Sequence, residues 1–535
     1  MRLLHAALVA ASLAFMAAPL ALPATAQAAT PSDTLVVAQN IDDIVSIDPG
    51  EAYEFSSGEY VTQTYDRLVQ YDAPDPSKLV AGLAKSWIID DANKTITFTL
   101  RDDVKFAPSG NPLTAADVIY SMKRVFVINK SPAAILGDLG WTKDNVDQMV
   151  VAKDPHTVVI KYAGNISSAY ALNVLASRPA SIVDSKTVEA HASNGDMGNG
   201  WLKNNSAGTG PFILKRYRAD ELISLDANPD YFLGAPALKH VIIKHVAEAA
   251  TQLLLLQSGD VDMAKNLTPD QIAGLDPKIA KVETYPQAAV HFLSFNQKDK
   301  DLTNPAFWEA AHYLVDYKGM VDSFLKGQMI VHQSFWPSGF PGAYDENPYS
   351  YDPDKAKAIL AKAGIKTPIS VTLDVINSSP FTDMAQSMQA SFAKAGINFQ
   401  IIPGTGSQVI TKYRNRTHQA MLLYWAPDFM DPDSNATAFA YNVDNSDRSY
   451  QPTTTWRNAW EPPAALSAEV VKARAEADPD KRNALYEDIQ KQQQASSPIV
   501  ETFQEVAQIA MKPDITGYVN GAIHDFVFYR LVKKD

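Results

Sequence analysis

The chain has no cysteine among its 535 residues. That single absence excludes disulfides, thiolate metal sites, thioether-linked haem and thiol catalysis. It also excludes a lipid carried on an N-terminal cysteine, so the mature protein is expected to move freely and not to be tethered to a membrane face. Basic residues are outnumbered, 47 against 60 acidic ones, for a formal charge of −13. An acidic surface repels nucleic acid and anionic lipid, and neither is expected as a partner. Local catalytic signatures are missing as well. There is no G-x-S-x-G elbow, no H-E-x-x-H and no Walker-type glycine loop.

Long apolar runs are confined to one place. After Met1 and Arg2 the stretch AALVAASLAFMAAPLAL runs from Ala6 to Leu22, and Ala26-Gln27-Ala28 follows as a small-x-small cleavage site. The run is short and ends in proline and small residues, which reads as a secretory signal peptide over residues 1–28 and not as an anchor. The protein is thus expected in a periplasm, as a secreted enzyme, an envelope-assembly factor or a solute-capture protein. At 46% hydrophobic and 20% charged the rest is ordinary globular material. Its length suggests roughly three domains.

Strand and helix signals alternate, which reads as an α/β fold. TITFTL from Thr95, ISVTLDVI from Ile369 and INFQII from Ile397 each alternate polar and apolar residues, as half-buried strands do. Asp352-Pro353, Asp478-Pro479 and Thr268-Pro269 place a capping side chain before a proline at the first helical position. Thr114 with Asp117 three residues on is a capping box. Between the strands from Ile369 and Ile397 lies the helical pattern DMAQSMQASFAKAG, giving a βαβ unit and predicting parallel strands.

Chemistry-bearing candidates are few. Gly208-Thr209-Gly210-Pro211 lacks the lysine of a phosphate loop and reads as a turn. His240 and His245 are five apart on one strand and so point to opposite faces. Asp431-x-Asp433-x-Asn435 begins like a calcium loop but has Ala436 and Asn442 where the glycine and closing glutamate belong, so a structural turn is expected. The segment MLLYWAPD is more informative. An apolar strand runs into Tyr424 and Trp425 and ends at Asp428. Ligands of α/β folds sit beyond the carboxyl ends of strands, and an acid there beside two aromatic rings suits a ligand ammonium group. Asp428 equally suits a plain turn. Tyr53 and Phe55 fit either a cleft wall or a core.

Several long motifs in order carry a family resemblance. SIDP from Ser46 with YDRLVQYD from Tyr65, LAKSW from Leu83 through TITFTLRDDVKFAPSGNPLTAADVIYSMKR, GTGPF from Gly208 with NPDYF from Asn228, LQSGDVD from Leu256, and WAPD from Trp425 with Asp431-Pro432 all resemble motifs of periplasmic solute-binding proteins of peptide ABC importers, the dipeptide- and oligopeptide-binding class of family 5. The resemblance implies a two-lobed, type II-like periplasmic-binding fold that closes over its ligand. Lobe I would take 29–66, 205–290 and 506–535, its extra subdomain 67–204, and lobe II 291–505, with the chain crossing near Ala289 and Glu505. It implies a monomer that is no enzyme, carries no cofactor, holds a short peptide and delivers it to a membrane permease with ATPase subunits.

By the same resemblance Asp428 would take the peptide ammonium, and Trp425, Tyr424, Tyr53, Phe55 and Ser379 are the other candidate ligand-binding residues. Dipeptide binders hold the peptide carboxylate with an arginine that would fall at about Ser379. Serine there disfavours a plain dipeptide, because a buried carboxylate without a cation is costly, and favours a longer peptide. A nickel chelate, haem, opine or oligosaccharide on the same fold is the alternative ligand reading. A secreted hydrolase and an envelope chaperone are the rivals of other classes.

Overall fold

The structure, a computed structural model, describes residues 30–535 except 74, 76, 77, 450 and 477. The signal-peptide reading falls on residues outside this range. Two long strands organise the molecule. Lys281–Phe295 (15 residues) and Ile499–Met511 (13 residues) run antiparallel through the middle of an 11-stranded sheet. They pair from Lys281 to Pro286 and again from Val290 to Ser294, and the ladder lapses between. In the gap, Ala288 N–H donates to the Ala522 carbonyl (2.7 Å), and the Gln504 amide donates to the Gln287 carbonyl (3.0 Å). These two strands are the only sheet connection running from one half to the other among the described residues, which gives two lobes.

On one side of the gap the sheet continues through Met263–Ala264, Thr34–Gln39, His240–His245, Leu222–Ala227 and Phe212–Arg218. Its core gathers Leu35, Val37, Tyr60, Tyr65, Phe212, Val241, Ile509 and Tyr529. On the other side lie Ala420–Trp425, Ile369–Ile376 and Ile397–Gly404, around a core that runs in sequence from Val290 to Phe503. A separate four-stranded antiparallel sheet (Ala84–Asp90, Thr95–Leu100, Thr157–Lys161, Val150–Asp154) packs with helix Ala115–Ile128 as the extra subdomain. It is fastened to the first lobe by Arg124, whose guanidinium makes two 2.8 Å hydrogen bonds to the Asp48 carboxylate, both side chains fully buried. A two-pronged charged bond in a dry site fixes orientation as well as distance.

The local readings meet the structure directly. Ile369–Ile376 and Ile397–Gly404 are parallel neighbours joined by helix Phe381–Ala393. Asp352, Asp478 and Thr268 each cap a helix that begins with proline. Gly208 and Gly210 lie against the backbone of Thr64. A Cβ on either glycine would come within 2.0 and 2.4 Å of it, so these glycines serve close packing. Parallel pairing is only part of the sheet. The subdomain sheet and both central strands are antiparallel.

Candidate functional site

Two adjoining cavities lie between the lobes and share Phe55 and Tyr424 as a common wall. The two rings, one from each lobe, approach to 4.5 Å between centroids. The larger cavity, about 190 Å³, is lined by Asp42, Asp43, Lys265, Gln287, His291, Ser379 and Glu505 among others. The smaller, about 60 Å³, is lined by Tyr53, Arg178, Arg414, Trp425, Asp428, Arg457 and Asp525.

Asp428 reaches the smaller cavity because strand Ala420–Trp425 stops at Ala426-Pro427. Proline cannot donate to a ladder, so the chain leaves the sheet there. Asp431 then caps helix Pro432–Ala440, and the Asp428 N–H donates to Ser434 Oγ (2.8 Å), fixing the loop. The Tyr53 hydroxyl, from the other lobe, donates to Asp428 Oδ2 (2.9 Å). Burial pushes the Asp428 carboxyl up to about 6, against the pull of Arg178. A carboxylate held in so dry a place gains strongly from a cationic partner.

Two of the arginines of this cavity are paired with acids. Arg178 Nε pairs with Asp525 (2.8 Å), and Arg414 with Glu54 across the lobes (2.7 Å). The larger cavity is acidic. Its one lysine, Lys265, is tied to Glu59 at 2.7 Å, while burial pushes Asp43 up to about 7. His291 lies 5.4 Å from the Phe381 ring and 5.9 Å from the Tyr424 ring. No cluster of three metal-ligating side chains occurs among the described residues. Asp433 in the calcium-like segment instead pairs with Arg474 at 2.8 Å. No helix of the described residues is long and apolar enough to cross a membrane.

Comparison with known proteins agrees with this architecture. Residues 78–447 match the description "Bacterial extracellular solute-binding proteins, family 5 Middle". The chain belongs to this family. It is 31% identical over 514 residues to the "Probable D,D-dipeptide-binding periplasmic protein DdpA" of Escherichia coli (strain K12), covering 94% of each chain. Among solved structures it is similar to the Helicobacter pylori periplasmic binding protein DppA in complex with peptide STSA (TM-score 0.81, 23% identity, 94% and 98% covered). It is also similar to the mannopinic-acid complex of MoaA from A.tumefacien R10 (TM-score 0.83, 22% identity, 94% and 100% covered). At these identities the two structures speak for the fold.

The six residues singled out in the sequence of this solute-binding protein all line one or both cavities. Tyr53, Phe55, Tyr424, Trp425 and Asp428 meet at the smaller one, and Ser379 lies on the larger with Phe55 and Tyr424. The Ser379 hydroxyl donates to Asp383 Oδ2 (2.6 Å). The sequence reading missed Arg178, Arg414, Arg457, Glu54, Asp525, Asp43 and His291. They come from positions far apart in the chain, on elements that carry no local motif.

Proposed function

We propose that this solute-binding protein captures short peptides in the periplasm and delivers them, lobes closed, to the membrane permease of an ABC importer. Peptide binding by the "Dipeptide-binding protein" of Escherichia coli (strain K12), 26% identical over 489 residues, supports the ligand class. The observation that carries the reading is Asp428: a carboxylate raised by burial, at the lobe boundary, between aromatic walls, with a neutral tyrosine hydroxyl as its hydrogen-bond partner. A peptide ammonium entering there gains an ion pair in a low-dielectric site. The protein binds and releases; no ligand bond is broken.

The acidity of the larger cavity supports peptides longer than two residues. A carboxylate seated beside Asp42, Asp43 and Glu505, with Ser379 in place of a cation, would be repelled and unpaired. A longer ligand carries its carboxylate beyond that region and presents backbone amides to Gln287 and its neighbours. Lobe I is proposed as 29–66, 205–290 and 506–535, the subdomain as 67–204 and lobe II as 291–505, with the hinge at the lapse in the long-strand ladder. Closure then rests on Tyr53–Asp428 and Glu54–Arg414, which span the lobes. Native mass spectrometry of protein purified without denaturation tests the reading. Bound masses matching peptides of three or more residues are expected, and a single non-peptide mass would overturn it.

A further inference from the structure

Among the described residues, Arg457 is the one cation of the smaller cavity without a counter-ion. The residue is 5% exposed. No carboxylate of the described residues lies within ion-pair distance, whereas Arg178 and Arg414 beside it each have one. Its Nε and Nη2 are buried without a hydrogen-bond partner among the described residues. Three rings surround the guanidinium, Tyr53 at 5.7 Å, Tyr413 at 5.4 Å and Trp425 at 5.4 Å. Ring faces offset part of the charge but accept no hydrogen bond in the guanidinium plane, so the donors stay unmatched. Burial and the nearby Arg414 draw the group down to about 10.

The residue is also held still. It ends the short helix Thr454–Arg457, whose Thr454 and Thr455 hydroxyls donate to the carbonyls of Ala438 and Tyr441 (2.5 and 2.8 Å). That anchors Arg457 to the helix following the Asp428 loop. An immobile, dry and unpaired guanidinium is costly to the empty protein and is repaid only by an anion arriving from outside. With Glu54 and Asp525 already bound to arginines, the cavity offers an incoming ligand one acid, Asp428, and one cation, Arg457.

We propose that Arg457 is a specificity residue that takes a carboxylate carried close to the ligand's ammonium group, so that the protein selects peptides whose first residue is acidic. This rests on the reading of Asp428 as the ammonium acceptor. It places the anion subsite beside the ammonium subsite, on a different element from Ser379.

Calorimetry on the intact protein with Glu-Ala-Ala and Gln-Ala-Ala tests it, because the two tripeptides differ only in the first side chain's charge. The wild type is expected to bind Glu-Ala-Ala about tenfold or more tighter, the scale of one charge-assisted hydrogen bond. Arg457→Gln is expected to erase that preference by weakening Glu-Ala-Ala about tenfold more than Gln-Ala-Ala, and Arg457→Lys to restore part of it. Equal wild-type affinities would overturn the Arg457 assignment and leave the peptide reading standing. An equal loss for both peptides in Arg457→Gln would make the residue a wall of the cavity and also overturn it. If neither tripeptide binds the wild type, the peptide reading fails and the Arg457 assignment falls with it.

Discussion

Replacing Asp428 with asparagine should make the empty protein more stable and the ligand-binding protein nearly inactive. Asparagine keeps the shape and still accepts the Tyr53 hydroxyl bond, so the change removes only charge. Burial raises the Asp428 carboxyl from 3.8 to about 6 in the folded chain. A raised carboxyl holds its proton more tightly folded than unfolded. Its stabilising contribution is therefore present below about pH 4 and lost as pH rises through 6. At about 1.4 kcal/mol per pH unit, the folded protein forfeits up to about 3 kcal/mol by pH 8. Asp428→Asn avoids that loss. Urea unfolding without ligand should show the two proteins alike at pH 4 and the variant more stable by up to about 3 kcal/mol at pH 8. Binding should move the opposite way. Removing one partner of a desolvated charge pair costs about 2–5 kcal/mol, a fall of about 30-fold to a few thousandfold in affinity for a peptide with a free amine. Calorimetry at pH 8 reads this. A variant that is less stable at pH 8, or that binds with undiminished affinity, would refute the reasoning.

Three further outcomes follow from the same structure. Asp48→Asn leaves Arg124 buried without its carboxylate and should cost about 3–5 kcal/mol in chemical denaturation. Burial pushes Glu501 up to about 8, so the wild type should lose stability relative to Glu501→Gln as pH rises from about 4.5 to 8, measured by thermal unfolding across that window. Arg414→Met removes the ion pair to Glu54 that spans the lobes. It should enlarge the radius of gyration in small-angle scattering without ligand and weaken peptide binding about tenfold.

Local structure was legible where physics is local. The alternation in ISVTLDVI and INFQII was enough to place two strands, and the intervening helical pattern was enough to make them parallel. Capping by Asp352, Asp478 and Thr268 depends on residues three apart, which sequence shows directly. The long strand KVETYPQAAVHFLSF was not legible as one element. Pro286 and the irregular pattern reflect a strand whose first half serves one lobe and whose second half serves the other. The site divided the same way. Asp428 announced itself because a strand, two rings and an acid are consecutive. Arg457 did not, because TTTWRNAW carries no motif. What distinguishes it is a missing counter-ion, a property that exists only after distant residues such as Glu54 and Asp525 have found their own partners.

The central claim is that a peptide ammonium, taken by Asp428, brings the lobes together around a short peptide. The most direct test is to offer the protein an equimolar mixture of Ala-Ala-Ala, Glu-Ala-Ala and their N-acetylated forms and weigh the intact complexes by native mass spectrometry. The account predicts complexes with the free-amine peptides alone. Retention of the acetylated peptides at equal intensity would contradict it.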